Sequence, residues 1–203
     1  MSELKAPIGA HAIHLCIDMQ RLFTNEGPWP TPWMERVLPV VVALAERAPA
    51  RTVFTRFIPP VSVDDAPGRW QAYYRKWPMV TRGHLDADLL DLVPALRRYA
   101  PPAQVFDKSV YSAFAAAGLL PYLEQHDINT LIVSGSETDV CVLASVLAAI
   151  DRGYRVIVVR DGICSSSDAT HDALIELYTK RFDVQLELVS ATEVLTFLPA
   201  SWA

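Results

Sequence analysis

The chain has 203 residues, 51% of them hydrophobic and 20% charged, with a net charge of -5. That length suits one medium domain spanning residues 1–203 with room for a sizeable core, and the composition excludes a disordered chain. The charges are well mixed, which excludes the clustered basic face of a nucleic-acid binder and the basic helix of a membrane-surface protein.

The opening stretch MSELKAPIGA is too polar for a secretory signal, and no apolar run reaches the roughly 20 residues that a bilayer span needs. Three cysteines, Cys16, Cys141 and Cys164, give an odd count without CxxC spacing, which argues against a disulfide framework or a structural zinc. A reducing cytoplasm is the expected setting. Residues 12–17 form a compact apolar run ending at Asp18, read as the first strand. Residues 33–47 carry Val37, Val40, Val41, Leu44 and Ala45 at helical spacing, with Pro39 expected to kink the helix or delay its start. Residues 52–55 are the second strand, 86–96 are helical in part around Pro94, and 103–106 are the third strand. A short helix over 119–126 precedes a fourth strand at 130–133.

Residues 139–152 predict a helix with apolar residues nearly all round, closed by Gly153. A fifth strand at 155–159, a helix over 168–180, a sixth strand at 184–188 and a last helix over 192–198 complete the chain. Strands alternating with helices predict an α/β fold of three layers, a parallel sheet with helices on both faces. Ligands in such sheets sit beyond the carboxyl ends of the strands, near the reversal of strand order.

Three reactive side chains stand at those ends: Asp18, Lys108 in "VFDKSVYSAF" and Cys141 after the turn "GSETD". A thiol with an ordinary pKa needs activation at neutral pH. A helix start at Cys141, capped by Thr138 or Asp139, and a nearby Lys108 ammonium would both favour the thiolate. Asp18 is then the base that takes the thiol proton and returns it to a leaving amine, and the turn before Cys141 offers N–H groups to an oxyanion. Cys16, inside a strand, and Cys164, in "DGICSSS", read as inert buried thiols.

The stretches "CIDMQ", "FDKSVYSAF" and "VSGSETDVCVLASVLAAIDRGYRVIVVRDGICSSS", with the later His171, resemble the isochorismatase-like cysteine hydrolases, whose members include nicotinamidases, carbamoylsarcosine amidases and biuret hydrolases. The resemblance implies a six-stranded parallel sheet of order 3-2-1-4-5-6 and a catalytic trio of Asp18, Lys108 and Cys141. It implies a cis peptide between Ser136 and Glu137 and an oxyanion hole from the N–H groups of Glu137 and Cys141. It also implies a homodimer or homotetramer. In that strand order Lys108 starts two strands from Asp18, roughly 10 Å away.

Metal-dependent nicotinamidases carry Asp-x-His after the second strand, where this chain reads "TRFIPP". No metal and no cofactor are therefore expected, and His11, His14, His84 and His126 show no metal spacing. Asp161 and His171 also match family positions and read as a turn aspartate and a helix-packing histidine. Isochorismatases proper commonly lack the cysteine, so Cys141 favours hydrolysis of a small amide or a carbamoyl or ureido compound through a thioester. A vinyl-ether hydrolase and an idle binding or assembly module remain the alternatives. Phe23, Trp29, Trp70, Tyr74 and Trp77 are candidates for the pocket wall. The segment 57–85, rich in Trp, Tyr and Arg, suits either that wall or a subunit contact.

Overall fold

The two central strands are buried at every position, and successive side chains meet helical layers on opposite faces. A computed structural model of the chain describes residues 4–199 and 202. The strands are β1 (Ala12–Ile17), β2 (Thr52–Phe57), β3 (Gln104–Lys108), β4 (Thr130–Ser136), β5 (Arg155–Cys164) and β6 (Leu186–Val189). They form one parallel sheet in the order β3-β2-β1-β4-β5-β6. The helices are α1 (Met34–Arg47), α2 (Trp70–Lys76), α3 (Pro94–Arg97), α4 (Leu119–Gln125), α5 (Leu143–Asp151), α6 (Asp168–Arg181) and α7 (Ala191–Phe197).

Ile13, Leu15 and Ile17 of β1, with Leu131 and Val133 of β4, pack against Leu119 and Leu123 of α4, Val146 and Ala149 of α5 and Tyr178 of α6. The residues between them point the other way: Ile132, Ile157 and Val159 meet Leu44 of α1 and Val194 of α7. A third cluster joins Cys16 and Phe54 to Val37, Val41 and Ala45 of α1. Two helical layers thus cover both faces, as a parallel sheet requires. No helix among the described residues is long and apolar enough to cross a membrane.

The differences from the sequence reading have local causes. α1 begins at Met34 and runs through the exposed Pro39, whose missing N–H leaves the Glu35 carbonyl to solvent instead of delaying the helix. The helical reading of 86–96 resolves into a 3-10 turn at Ala87–Leu90 and the single turn of α3, with Pro94 at its first position, where no donor is lost. β4 continues through Gly135 and Ser136, and β5 through Cys164, because Gly135 pairs with Ile163 and Ser136 with Cys164 beyond a bulge. Gly135 has φ 112°, and a Cβ there would lie 2.1 Å from the Ile17 carbonyl oxygen, so only glycine lets β4 approach the end of β1.

One buried group of the sheet titrates. His14 of β1 is hydrogen-bonded to Thr52 Oγ1 at 3.3 Å and Ser134 Oγ at 2.7 Å, and burial lowers its pKa from 6.5 to about 3. The folded chain therefore keeps the ring neutral while the unfolded chain takes up a proton below 6.5. Stability is expected to fall by about 1.4 kcal/mol per pH unit as pH drops from 6.5 toward 3 on this account. Urea unfolding between about pH 5.5 and about pH 4 checks it: His14→Gln should show a slope shallower by that amount, and equal slopes would refute it.

Candidate active site

Asp18 follows β1 in the left-handed region, φ 50°, an uncommon conformation for a residue with a Cβ. Its N–H donates to the Thr55 carbonyl at 3.2 Å. Both carboxylate oxygens are held: Thr55 Oγ1 donates to Oδ1 at 2.7 Å and Lys108 Nζ donates to Oδ2 at 2.6 Å. Lys108 ends β3 opposite Phe57 of β2, so its stem crosses the width of one strand to reach Asp18. Its ammonium also donates to the Val110 carbonyl at 3.1 Å and lies 5.3 Å from the Phe57 ring centroid. Neither side chain of the pair has any exposed surface. Gln20 clips the same corner, with Oε1 accepting the Phe57 N–H at 2.6 Å.

Thr55 was not singled out by the sequence, yet strand order places it beside Asp18. Thr55→Val keeps the shape and removes the donor. The loss of a hydrogen bond to a buried charge is expected to cost about 1.5–3 kcal/mol in urea unfolding. A cost below about 0.5 kcal/mol would show that the bond does not hold Asp18.

Cys141 sits in a π-helical turn, Thr138–Val142, that precedes α5. The sequence predicts an α-helix from Asp139 capped by Thr138 or Asp139, and the structure corrects both points. Glu137 occupies the cap position, but its side chain does not bond the N–H groups of the turn. Thr138 Oγ1 pairs instead with His171 Nδ1 at 2.9 Å, and Asp139 Oδ1 accepts from Ser165 Oγ at 2.5 Å. The turn is secured from behind: Ser145 Oγ donates to the Cys141 carbonyl at 2.7 Å and accepts the Ala113 N–H at 2.9 Å. The peptide between Ser136 and Glu137 is cis.

The resting thiol also differs from the expectation of a lowered pKa. Burial pushes Cys141 well above the ordinary thiol value, the Asp18 carboxylate adds to that, and Lys108 opposes it. Burial pulls the Lys108 ammonium down, but the charges of Asp18 and Cys141 outweigh it and leave its pKa raised. With the carboxylate and ammonium already paired, a thiolate would add an uncompensated buried charge. The arrangement therefore holds a protonated thiol beside a base.

Cys141 borders a cavity of about 350 Å³ together with Phe23, Trp29, Trp77 and Glu137. Three of the five wall residues expected from sequence thus meet the thiol's cavity. Trp70 and Tyr74 do not; they line a separate depression with Pro60 and Arg82. The cause is helical spacing on α2: Tyr73 and Trp77, four apart, share the stripe facing the cavity, while Trp70 and Tyr74 share the neighbouring one. Trp70 backs the wall by packing 4.8 Å from the Tyr111 ring. Phe57 and Tyr73, both within the 57–85 segment, also line the wall, and Tyr111 is a wall residue outside every stretch expected to form it.

Cys16 and Cys164 are buried and border none of this cavity; burial pushes Cys16 up strongly and Cys164 up to about 12. Asp161 Oδ1 accepts the Ala191 N–H at the start of α7, 2.8 Å away. Among the described residues, no group of three or more His, Cys, Asp or Glu side chains is placed to hold a metal ion.

Comparison with known proteins bears on the family and the fold. The isochorismatase domain family matches residues 12–189. Isochorismatase family protein 1A of Dictyostelium discoideum is 32% identical over 117 residues, 57% of this chain and 52% of that protein. N-carbamoylsarcosine amidase of an Arthrobacter species is 32% identical over 157 residues, 72% of this chain and 57% of that protein. The matches thus span about half the length of these curated relatives. In fold, a cysteine hydrolase from Pseudomonas syringae pv. phaseolicola superposes with TM-score 0.77 at 22% identity, covering 97% of this chain and 96% of that one. The match of the family over most of the sequence, on a sheet of the order described, shows that the chain belongs to the isochorismatase family.

Proposed function

We propose that the protein hydrolyses a C–N bond of a small amide or of a carbamoyl or ureido compound, with Cys141 as nucleophile. The observation that carries this reading is the fully buried Asp18–Lys108 pair beside a thiol that opens on a cavity. The similarity to an N-carbamoylsarcosine amidase supports the same bond type.

The chemistry follows from what each group holds at rest. Cys141 sulfur bonds to the substrate carbonyl carbon while its proton passes to Asp18, so the thiolate never has to persist in the dry site. The C=O electron pair moves to oxygen, next to the N–H groups of Glu137 and Cys141, which are assigned as the oxyanion donors. Asp18 gives the proton to nitrogen, the C–N bond breaks, and ammonia or an amine leaves a thioester. Asp18 then takes a proton from water as its oxygen attacks the thioester carbon, and returns it to the departing sulfur. Lys108 orients the Asp18 carboxylate for each of these proton transfers, which is the role its 2.6 Å contact supports.

Ammonia release from a panel of small amides, ureides and carbamoyl amino acids at pH 7 tests the reading. Turnover of at least one class is expected. Silence across the panel, with Cys141 inert to alkylation in the folded protein, would favour a binding or assembly role instead.

A further inference from the structure

We propose that the cavity selects substrates whose end remote from the scissile bond is a compact organic cation, an alkylated ammonium group. The inference rests on the amide-hydrolase reading above and adds the substrate class.

Six of the twelve residues lining the cavity are aromatic, and Glu137 is the sole charged side chain among them. Among the described residues, no Arg, Lys or His borders it. Lys108 supplies no free positive charge, because its ammonium is bound to Asp18. A carboxylate-bearing substrate would therefore be stripped of water without a counter-ion, which is strongly unfavourable. A cation meets the opposite situation: ring faces carry negative potential, Trp most of all, and Glu137 carries a full charge.

The rings are set as a corner. Trp29 stacks on Phe23, 6.3 Å away at 13°, so that these two rings form one wall, and it meets the other walls steeply, Trp77 6.3 Å away at 78° and Tyr73 5.9 Å away at 55°. Parallel faces would make a slot for a flat ring, whereas walls meeting at steep angles fit a rounded group touched from several sides. Trp77 already attracts a cation, with Lys76 Nζ 5.3 Å from its ring centroid. Lys76 is itself exposed and outside the lining, so water and salt screen its charge. The Glu137 carboxylate is fixed in the wall, its Oε1 accepting the Ser166 N–H at 2.9 Å. Its field reaches the aromatic wall: burial is the first cause that raises the Tyr73 and Tyr111 hydroxyls, and the Glu137 charge is among the others. Alkylated ammonium groups are weakly hydrated and lose little on entering such a site, while a bare ammonium would seek hydrogen bonds that aromatic walls do not offer.

The test uses three probes with one linker: 4-(trimethylammonio)butanamide, its neutral isostere 5,5-dimethylhexanamide, and glutaramate. Calorimetric Kd values are measured on the Cys141→Ala protein, so that binding is read apart from turnover. The cation should bind at least about 10-fold more tightly than the isostere, and glutaramate more weakly than both. Adding Glu137→Gln, which retains an acceptor for Ser166 N–H, should shrink the cation's advantage severalfold. Equal binding of cation and isostere, tightest binding of glutaramate, or no binding by any probe would overturn the proposal. Loss of the hydrolase reading has a different signature: the cation preference stands, but wild-type protein releases no ammonia from any amide.

Discussion

Cys141→Ala is expected to lower ammonia release by at least about 10⁴-fold while leaving the fold intact. The magnitude follows from removing the one side chain that forms the covalent bond; members of a unit of this kind cannot substitute for one another. The change is small in volume and sits at a cavity wall, so the stability cost should be slight. Circular dichroism and urea unfolding of the variant separate the two effects. A variant that retains a tenth of wild-type turnover would move the chemistry to Asp18 alone, as a vinyl-ether hydrolase would have it.

The second large effect concerns the ion pair. Lys108→Met leaves Asp18 without its counter-charge in a site with no exposed surface, and should destabilise the protein by about 3–5 kcal/mol at pH 7. Asp18→Asn combined with Lys108→Met removes both charges, and stability should return most of the way to wild type. Activity should not return, because the double variant has no base. Urea unfolding of the two single variants and the double variant measures the coupling. Additive losses would show that the 2.6 Å contact contributes no specific pairing.

The sheet was legible because its strands are buried on both faces and therefore read as short apolar runs between helical patterns. The trio was legible for a related reason: Asp18, Lys108 and Cys141 each follow a run that the fold must place in the sheet. What stayed hidden depended on three-dimensional detail. β4 and β5 continue through Gly135–Ser136 and Gly162–Cys164, where polarity and glycine ordinarily signal the end of a strand. The π turn at Thr138–Val142 has no periodic signature, since one extra residue per turn is not visible in an apolar run. The state of the thiol was misjudged because a helix start and a lysine suggest a lowered pKa, while burial and Asp18 decide the sign. The split between Tyr73 with Trp77 and Trp70 with Tyr74 required the orientation of α2, which composition cannot give.

The central claim is a covalent intermediate on Cys141, and trapping it is the most direct measurement. An amide that the wild-type protein turns over is mixed with the enzyme, quenched in acid, and the Cys141 peptide is weighed by mass spectrometry. Parallel reactions contain hydroxylamine. The account predicts an acyl or carbamoyl mass on Cys141 and a hydroxamate or hydroxyurea product that is lost in Cys141→Ala. Steady ammonia release with no added mass on Cys141 and no trapped product would contradict it.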